Sequence, residues 1–312
     1  MRYENILVLG GSGFVGRHLV AALVARGARV TVPSRRRERA RYLLPLPTVD
    51  VVECDVSRRE TLSALVAGRD AVVNLVGILH GPGFSRAHVE LPQALVAACR
   101  EHGVRRVLHM SALGASPEAP SEYLRTKGAG EEAVLGAGAG ALDATVFRPS
   151  VIFGPEDSFL NLFATLAKLM PVLFLACPQA RFQPVYVRDV ASVMVAGLAE
   201  TRAFGKAYDL CGPKVYTLRE LVEAVCRFTG RRRPVLGLPD SLSYLQALLL
   251  ELAPGEPLMT RDNLRSMQVP STCDCALPFG VAPQALEALA PAWLSRLGPR
   301  QRYPVFRWRA RR

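Results

Sequence analysis

Ile6-Leu7-Val8-Leu9-Gly10-Gly11-Ser12-Gly13-Phe14-Val15-Gly16 runs from an apolar strand through a glycine turn into a helix. The four leading residues carry no polar side chain and read as a buried strand, while the apolar positions from 14 to 25 recur at helical spacing. Gly10, Gly13 and Gly16 give G-x-x-G-x-x-G. Without Cβ atoms the turn lets main-chain N–H groups approach an anion, and the following helix adds the positive end of its dipole. At a first strand–helix junction this spacing points to a site for a dinucleotide pyrophosphate; the alternative is a tight structural turn with no ligand. The candidate contacts are Gly10, Ser12, Gly13, Phe14, Val15 and Gly16.

The pattern continues outward from this turn. Strands are expected at 29–32, 49–53, 71–76, 107–110 and 144–147, and helices at 61–67, 85–102 and 121–135. Strand and helix alternate with short connections, which implies a parallel sheet covered on both faces. The fold class is therefore α/β, a Rossmann-type doubly wound parallel sheet with a smaller C-terminal lobe. Residues 136–140 read Gly-Ala-Gly-Ala-Gly, a flexible turn before the sixth strand. Beyond Pro149 helices are expected at 159–169, 190–199, 218–228 and 241–252, and a strand at 206–211. The expected division gives 1–150, plus returning strands at about 182–211, to an NAD(P)-binding domain. Residues 151–181 and 212–312 then form the lobe for a substrate or partner.

The bulk properties agree with a packed protein. Of 312 residues 50% are hydrophobic and 21% charged, which supplies a core and argues against disorder. The net charge of +12 reads mainly as an arginine-rich composition. Nucleic acid is not expected, because the chain is already committed to a dinucleotide fold. Seven scattered cysteines suit reduced thiols in the cytosol. Cys273 and Cys275 lack the second pair that zinc requires, so no metal is expected. A first strand starting near Ile6 leaves no signal peptide before it. The most apolar stretch, 159–177, is interrupted by Asn161, Lys168 and Pro171 and reads as helix plus strand rather than a membrane span. The expected location is cytoplasmic.

The second strand leads into Val32-Pro33-Ser34-Arg35-Arg36-Arg37. A carboxylate here would select NAD through the ribose 2′-hydroxyl. Ser34 and Arg35 instead offer donors to a 2′-phosphate, so NADP(H) is expected to be preferred over NAD(H). The alternative is a solvated, basic helix start. Asp55-Val56 follows the third strand, where an acid can meet the adenine amino group; Asp55 or Ser57 could equally cap a helix. Asn74 interrupts an apolar strand just before Val76-Gly77, and either braces the central strands or faces the cofactor.

Tyr123 and Lys127 stand four residues apart on the helix expected at 121–135, and so share a face. A nearby ammonium favours the phenolate, which suits a proton relay during hydride transfer, and the lysine can also bind the nicotinamide ribose. An ordinary surface pair is the alternative.

Together these stretches resemble the extended and atypical branches of the short-chain dehydrogenase/reductase superfamily, the sugar-epimerase-like group, over nearly the whole chain. More narrowly the chain is similar to the group related to the dinucleotide-binding accessory subunit of respiratory complex I. The resemblance rests on Asn74-Leu75-Val76-Gly77-Ile78-Leu79, Ser111-Ala112-Leu113-Gly114-Ala115, Tyr123-Leu124-Arg125-Thr126-Lys127 with Gly130-Glu131, the run Phe-Arg-Pro-Ser-Val-Ile-Phe-Gly-Pro-Glu-Asp at 147–157, and Thr260-Arg261-Asp262-Asn263. It implies that Gly10, Gly13, Gly16, Asp55, Lys127 and Pro149 hold the cofactor and that Tyr123 donates a proton. Ser111 matches the start of a Ser/Thr run, but Ala112 replaces the hydroxyl that orients a substrate carbonyl in active members. Two functions are therefore expected: an NADPH-dependent oxidoreductase of quinone, lipid or small carbonyl metabolism that uses Tyr123 and Lys127, or, as the resemblance to the complex I relatives implies, a nucleotide held for structure without turnover.

The carboxyl end, 299–312, carries Arg300, Arg302, Arg307, Arg309, Arg311 and Arg312 among Tyr303, Phe306 and Trp308, with no acid. It suits anchoring on anionic lipid at the inner face of the membrane, or docking to a respiratory or quinone-synthesis protein. A frayed, solvated tail is the plain alternative. The leucines at 242, 245, 248, 249 and 252 fall close to helical spacing and read as a core-facing helix or part of the same docking region.

Overall fold

The computed structural model describes residues 3–137, 141–252 and 257–295. The tail at 299–312 and part of the turn at 136–140 lie outside the described residues. The chain divides into two compact units. The first comprises Met1–Pro149, Val187–Leu210 and Cys273–Ala282; the second comprises Ser150–Tyr186, Cys211–Thr272 and Pro283–Arg312.

Seven strands build the sheet of the first unit: β1 (Asn5–Leu9), β2 (Arg29–Ser34), β3 (Val49–Glu53), β4 (Ala71–Asn74), β5 (Arg106–Met110), β6 (Asp143–Pro149) and β7 (Lys206–Leu210). Their order is β7-β6-β5-β4-β1-β2-β3, with every pair parallel. The order reverses at β1 and β4, which opens a crevice at the carboxyl ends of the central strands. This is the Rossmann-type sheet that the alternation predicts.

Crossover helices α1 (Phe14–Val24), α2 (Arg59–Val66), α3 (Leu91–Glu101) and α4 (Glu122–Leu135) connect the early strands. Of the next two helices, α5 (Ser158–Leu169) belongs to the second unit and α6 (Val187–Ala199) to the first. Ile6 through Leu9 are fully buried. Leu7 and Leu9 pack with Leu62, Leu95, Cys99 and Val134 in one core under α2, α3 and α4. Ile6 and Val8 point to the opposite face by the two-residue period of a strand, and α1 packs against α6.

Three local departures have physical causes. The strand expected to reach 76 stops at Asn74, because the Asn74 Oδ1 accepts the Val76 N–H at 3.1 Å and turns the chain. The helix expected from 85 opens with a π turn at Arg86–Glu90. Pro92 sits at the start of α3 and has no N–H to give the His88 carbonyl, so the ladder slips there. The cysteines are not all reduced: Cys211 and Cys273 are disulfide-bonded. The segment carrying Cys273 returns beside the end of β7, where the Cys275 Sγ lies 3.5 Å from the Asp209 carbonyl oxygen, a proximity that sequence separation conceals.

Arg106 lies fully buried at the amino end of β5. Its guanidinium donates to the carbonyls of Gly197, Leu198 (2.8 Å) and Asp143 and to the Thr145 hydroxyl (3.0 Å). It thereby answers the unpaired carbonyls and negative dipole end of α6.

In the second unit, α5 packs on α7 (Leu218–Phe228). Thr217 and Glu220 close a capping box at the start of α7. The strands Leu173–Leu175 and Val235–Gly237 pair in parallel, and the chain then enters α8 (Asp240–Glu251). No helix among the described residues is long and apolar enough to cross a membrane.

Candidate nucleotide and catalytic site

The glycine turn is built by close approach. Gly10 has φ +76°, and a Cβ there would lie 3.0 Å from the Leu75 carbonyl carbon. The Gly13 N–H donates to the Gly10 carbonyl at 2.9 Å. A Cβ on Gly16 would overlap the Gly10 carbonyl oxygen and come within 2.6 Å of the Gly11 Cα. Helix α1 begins at Phe14 with Gly13 as its N-cap, no side-chain capping bond and no acid in its first turn. Its leading N–H groups and dipole thus face the turn, which fits a pyrophosphate. The Tyr42 hydroxyl donates to the Ser12 carbonyl, and the Arg17 guanidinium lies 4.2 Å above the Tyr42 ring. This cation beside the turn is not signalled by any motif.

At the end of β2, Ser34 is buried and closes a turn: its hydroxyl donates to the Arg36 carbonyl at 2.9 Å and accepts the Arg36 N–H at 3.4 Å. Arg35 is exposed beside it. Glu53, in register with Ser34, accepts the Arg37 N–H at 3.1 Å. Asp55 accepts the Ser57 N–H at 3.0 Å, and these bonds to Ser57 hold its carboxyl below the usual range, helped by the charges of Arg86 and Arg35. Neither Asp55 nor Ser57 is the cap of α2; that position belongs to Arg58. Val56 packs against the core.

At the end of β4, Asn74 is fully buried, with its Nδ2 at 3.2 Å from the His109 Nδ1. Val76 packs partly into the core. A Cβ on Gly77 would lie 3.1 Å from the Lys127 Nζ and 3.6 Å from the His88 Nε2, so those two side chains converge on this backbone.

Helix α4 starts at a Ser121 cap that accepts the Leu124 N–H at 3.2 Å. Gly128 and Gly130 lie inside it, where each costs about 1 kcal/mol against alanine. Packing requires them: a Cβ on Gly128 would lie 2.7 Å from the Ser116 carbonyl carbon, and one on Gly130 would overlap the His88 carbonyl oxygen. Buried Glu131 takes the Arg148 Nε on both oxygens, at 2.9 and 3.0 Å, and pins α4 to β6.

Lys127 is buried, its Nζ donating to the Met110 carbonyl at 3.0 Å, and desolvation pulls its pKa down to about 8. Tyr123 retains some exposed surface, but its phenol end is densely surrounded and desolvation pushes it up to about 12. Its ring meets Phe84 at 6.1 Å and His88 at 5.6 Å. The expectation that the ammonium favours a phenolate is corrected here: burial dominates and the phenol stays protonated.

His88 went unsingled by sequence, since an isolated histidine on a helix carries no motif. Its Nε2 accepts the Ile78 N–H at 3.0 Å, and its Nδ1 lies 3.0 Å from the Thr126 hydroxyl, which donates to the Glu122 carbonyl at 2.9 Å. These partners require a neutral ring with its proton on Nδ1. Desolvation and then the Lys127 charge hold the His88 pKa near about 3; the same two causes bring His109 to about 3.

Ser111 is buried with no hydrogen-bond partner for its Oγ, although its N–H donates to the Phe147 carbonyl at 2.8 Å. Ala112 follows it, and the Leu113 N–H donates to the Pro149 carbonyl at 3.1 Å. All the candidate residues thus lie at the carboxyl edge of one sheet. Ser34, Arg35, Asp55 and Val56 follow β2 and β3. The glycine turn follows β1, Asn74 to Gly77 follow β4, and Ser111, Tyr123, Lys127 and Pro149 surround the ends of β5 and β6.

The chain is similar to known proteins over this whole region. The model of the NAD dependent epimerase/dehydratase family matches residues 6–211. The mitochondrial NADH dehydrogenase [ubiquinone] 1 alpha subcomplex subunit 9 of Mus musculus is 31% identical over 96% of this chain and 81% of its own. Ceramide reductase of Caulobacter vibrioides is 32% identical over 75% of this chain and 74% of its own. The solved NADPH complex of the quinone oxidoreductase QOR2 of Escherichia coli shares the fold, with TM-score 0.74 at 16% identity, over 93% of this chain and 99% of that one. A nicotinamide dinucleotide fits the turn, the uncapped helix and the Lys127–Gly77 corner alike, and the chain belongs to the NAD dependent epimerase/dehydratase family.

Proposed function

We propose that the protein is an NADPH-dependent reductase of a quinone, lipid or small carbonyl substrate. The neutral Tyr123 phenol, one helical turn from Lys127 at the sheet edge, carries this reading. Gly10, Ser12, Gly13, Phe14, Val15 and Gly16 hold the pyrophosphate through backbone N–H groups. Ser34 and Arg35 take the 2′-phosphate, and Asp55 and Val56 border the adenine. Lys127 and Pro149 border the nicotinamide ribose and ring, beside Asn74, Val76 and Gly77. A nicotinamide cofactor held there would supply a hydride to the substrate carbon. Tyr123 gives its hydroxyl proton to the oxygen that gains charge, and Ser111 is the nearby hydroxyl left to orient that oxygen. The names of ceramide reductase and of 2-alkyl-3-oxoalkanoate reductase of Stenotrophomonas maltophilia, a further relative at 28% identity, support a carbonyl on a lipid-like chain.

A second reading rests on Ala112 and on the commitment of Lys127 to the Met110 carbonyl. Here the protein holds its nucleotide without turnover, as an accessory or assembly factor of respiratory or quinone-synthesis machinery at the inner face of the membrane. The names of the complex I relatives support it. Denaturing the purified protein, identifying any released nucleotide and following exchange with added NADPH separates the two. Fast exchange, with substrate turnover lost in Tyr123→Phe, supports the reductase; NADP(H) that does not exchange supports the holding role. Absence of affinity for either cofactor overturns both.

A further inference from the structure

Helix α8 is inside out. It buries Ser243 and Ala247, four residues apart, and Ala247 packs with Ala176, Leu264 and Met259. Its outer face is mainly leucine: Leu242 and Leu245 are each 48% exposed, Leu249 61% and Leu252 75%, with Tyr244 exposed among them. Single exposed leucines are ordinary on a protein surface, but a full helical stripe of them is not. The stripe has neighbours. Phe174 and Leu236 are exposed, cross-strand partners in the parallel pair of Leu173–Leu175 and Val235–Gly237. Gln246 of α8 donates to the Phe174 carbonyl at 3.4 Å, which sets that strand beside the helix.

A basic cluster borders this face. Residues 241–250 contain no charged side chain. Asp240 lies at the amino end of α8, where it offsets the helix dipole, and Glu251 at the other end is taken by the Arg261 Nε at 2.8 Å. Arg231, Arg232 and Arg233 lead directly into the strand that carries Leu236. Arg233 donates to the Ala167 carbonyl at 3.0 Å, which brings this cluster to exposed Lys168, Leu169 and Met170 at the end of α5. An aliphatic stripe with a cationic border matches the chemistry of acyl chains beneath anionic headgroups.

We propose that α8 and the adjacent strand pair form the face by which the second unit docks on an anionic lipid bilayer. The leucine stripe enters the headgroup–acyl boundary, and the 231–233 arginines with Lys168 meet the phosphates. The inference stands on this unit alone, independent of which nucleotide role holds above, and it places the contact outside the arginine-rich tail.

The test is co-sedimentation of the full chain with vesicles of phosphatidylcholine, with and without phosphatidylglycerol. The wild type is expected to pellet with the anionic vesicles and to be released by salt. Leu245→Glu/Leu249→Glu should lower that partition at least about tenfold, whereas Leu44→Glu, an exposed leucine of the first unit, should leave it unchanged. Nucleotide retention in the same samples reports folding and keeps this result separate from the nucleotide readings. Equal binding with and without the anionic lipid, or undiminished binding of the double variant, overturns the proposal. A wild-type dimer that the double variant converts to monomer also overturns it, in favour of a second copy as the occupant.

Discussion

The Lys127 Nζ donates to the Met110 carbonyl oxygen at 3.0 Å, linking the middle of α4 to the last residue of β5. This bond keeps a charged group in a buried corner that lowers its pKa from 10.5 to about 8. The unfolded chain then binds more protons than the folded one between those values, so this group's contribution makes stability rise with pH across that window. The penalty is fully present below about 8 and amounts to about 3 kcal/mol before any offset from the hydrogen bond. Lys127→Met should therefore compare most favourably with the wild type at neutral pH and lose that advantage toward pH 10. Denaturant unfolding of both proteins at the two pH values checks this; a difference that does not change with pH would remove the buried-charge account.

Acid should act through the histidines. His88 and His109 resist protonation in the fold, near about 3 against 6.5. Their contribution is present above the unfolded value and is lost as pH falls from 6.5 toward 3. His88→Leu should shallow the fall of stability over this range by up to one proton's slope. It should also cost about 1–3 kcal/mol at pH 7, because the Ile78 N–H loses its acceptor. Unfolding curves measured from pH 7 to 4.5 provide the comparison.

A phenol held near about 12 implies a proton donor that stays protonated through the ordinary assay range. For a reductase, Tyr123→Phe should lower kcat by roughly 10²–10⁴-fold with little change in NADPH affinity. The wild-type kcat profile should show no ionisation assignable to Tyr123 below pH 10. A limb near pH 7 that disappears in the phenylalanine variant would contradict the burial argument.

The glycine turn predicts a loss that no side-chain contact explains. Gly16→Ala sets a methyl against the Gly10 carbonyl, so the turn must open. Affinity for either dinucleotide should fall on the order of tenfold or more, read by calorimetry. Affinity equal to the wild type would mean that the turn does not hold the pyrophosphate.

Selection between cofactors should reside at Arg35. Arg35→Asp should weaken NADPH roughly tenfold more than NADH, the scale of a lost charge-assisted bond. Equal losses for both would sink the 2′-phosphate assignment.

The alternation of apolar runs with amphipathic helices was legible because buried parallel strands leave an uninterrupted apolar signature, as in Ile6 to Leu9 or Ala71 to Val73. The glycine turn and the Tyr123–Lys127 spacing were legible because local geometry alone requires them. His88, Arg106 and Arg17 were not. Each owes its role to partners far along the chain, such as Ile78 and Thr126 for His88 or the end of α6 for Arg106. Propensity contains no such information. The two-residue strands at Ile152–Phe153 and Tyr216–Thr217 were missed for a related reason, since they are too short to show a period. The outward turn of α8 was equally hidden, because a leucine stripe reads the same whether it faces a core or the solvent.

Pro92, His88 and Gly130 come from a helix start, a π turn and a second helix, yet none is independent of the others. The proline frees a carbonyl, the π turn carries that carbonyl outward, and the bare Cα of Gly130 is the notch that receives it. They work like the tumblers of a lock. Altering one misaligns the helix that bears Tyr123 and Lys127 unless the other two move with it, so among relatives this trio should be exchanged together or kept together.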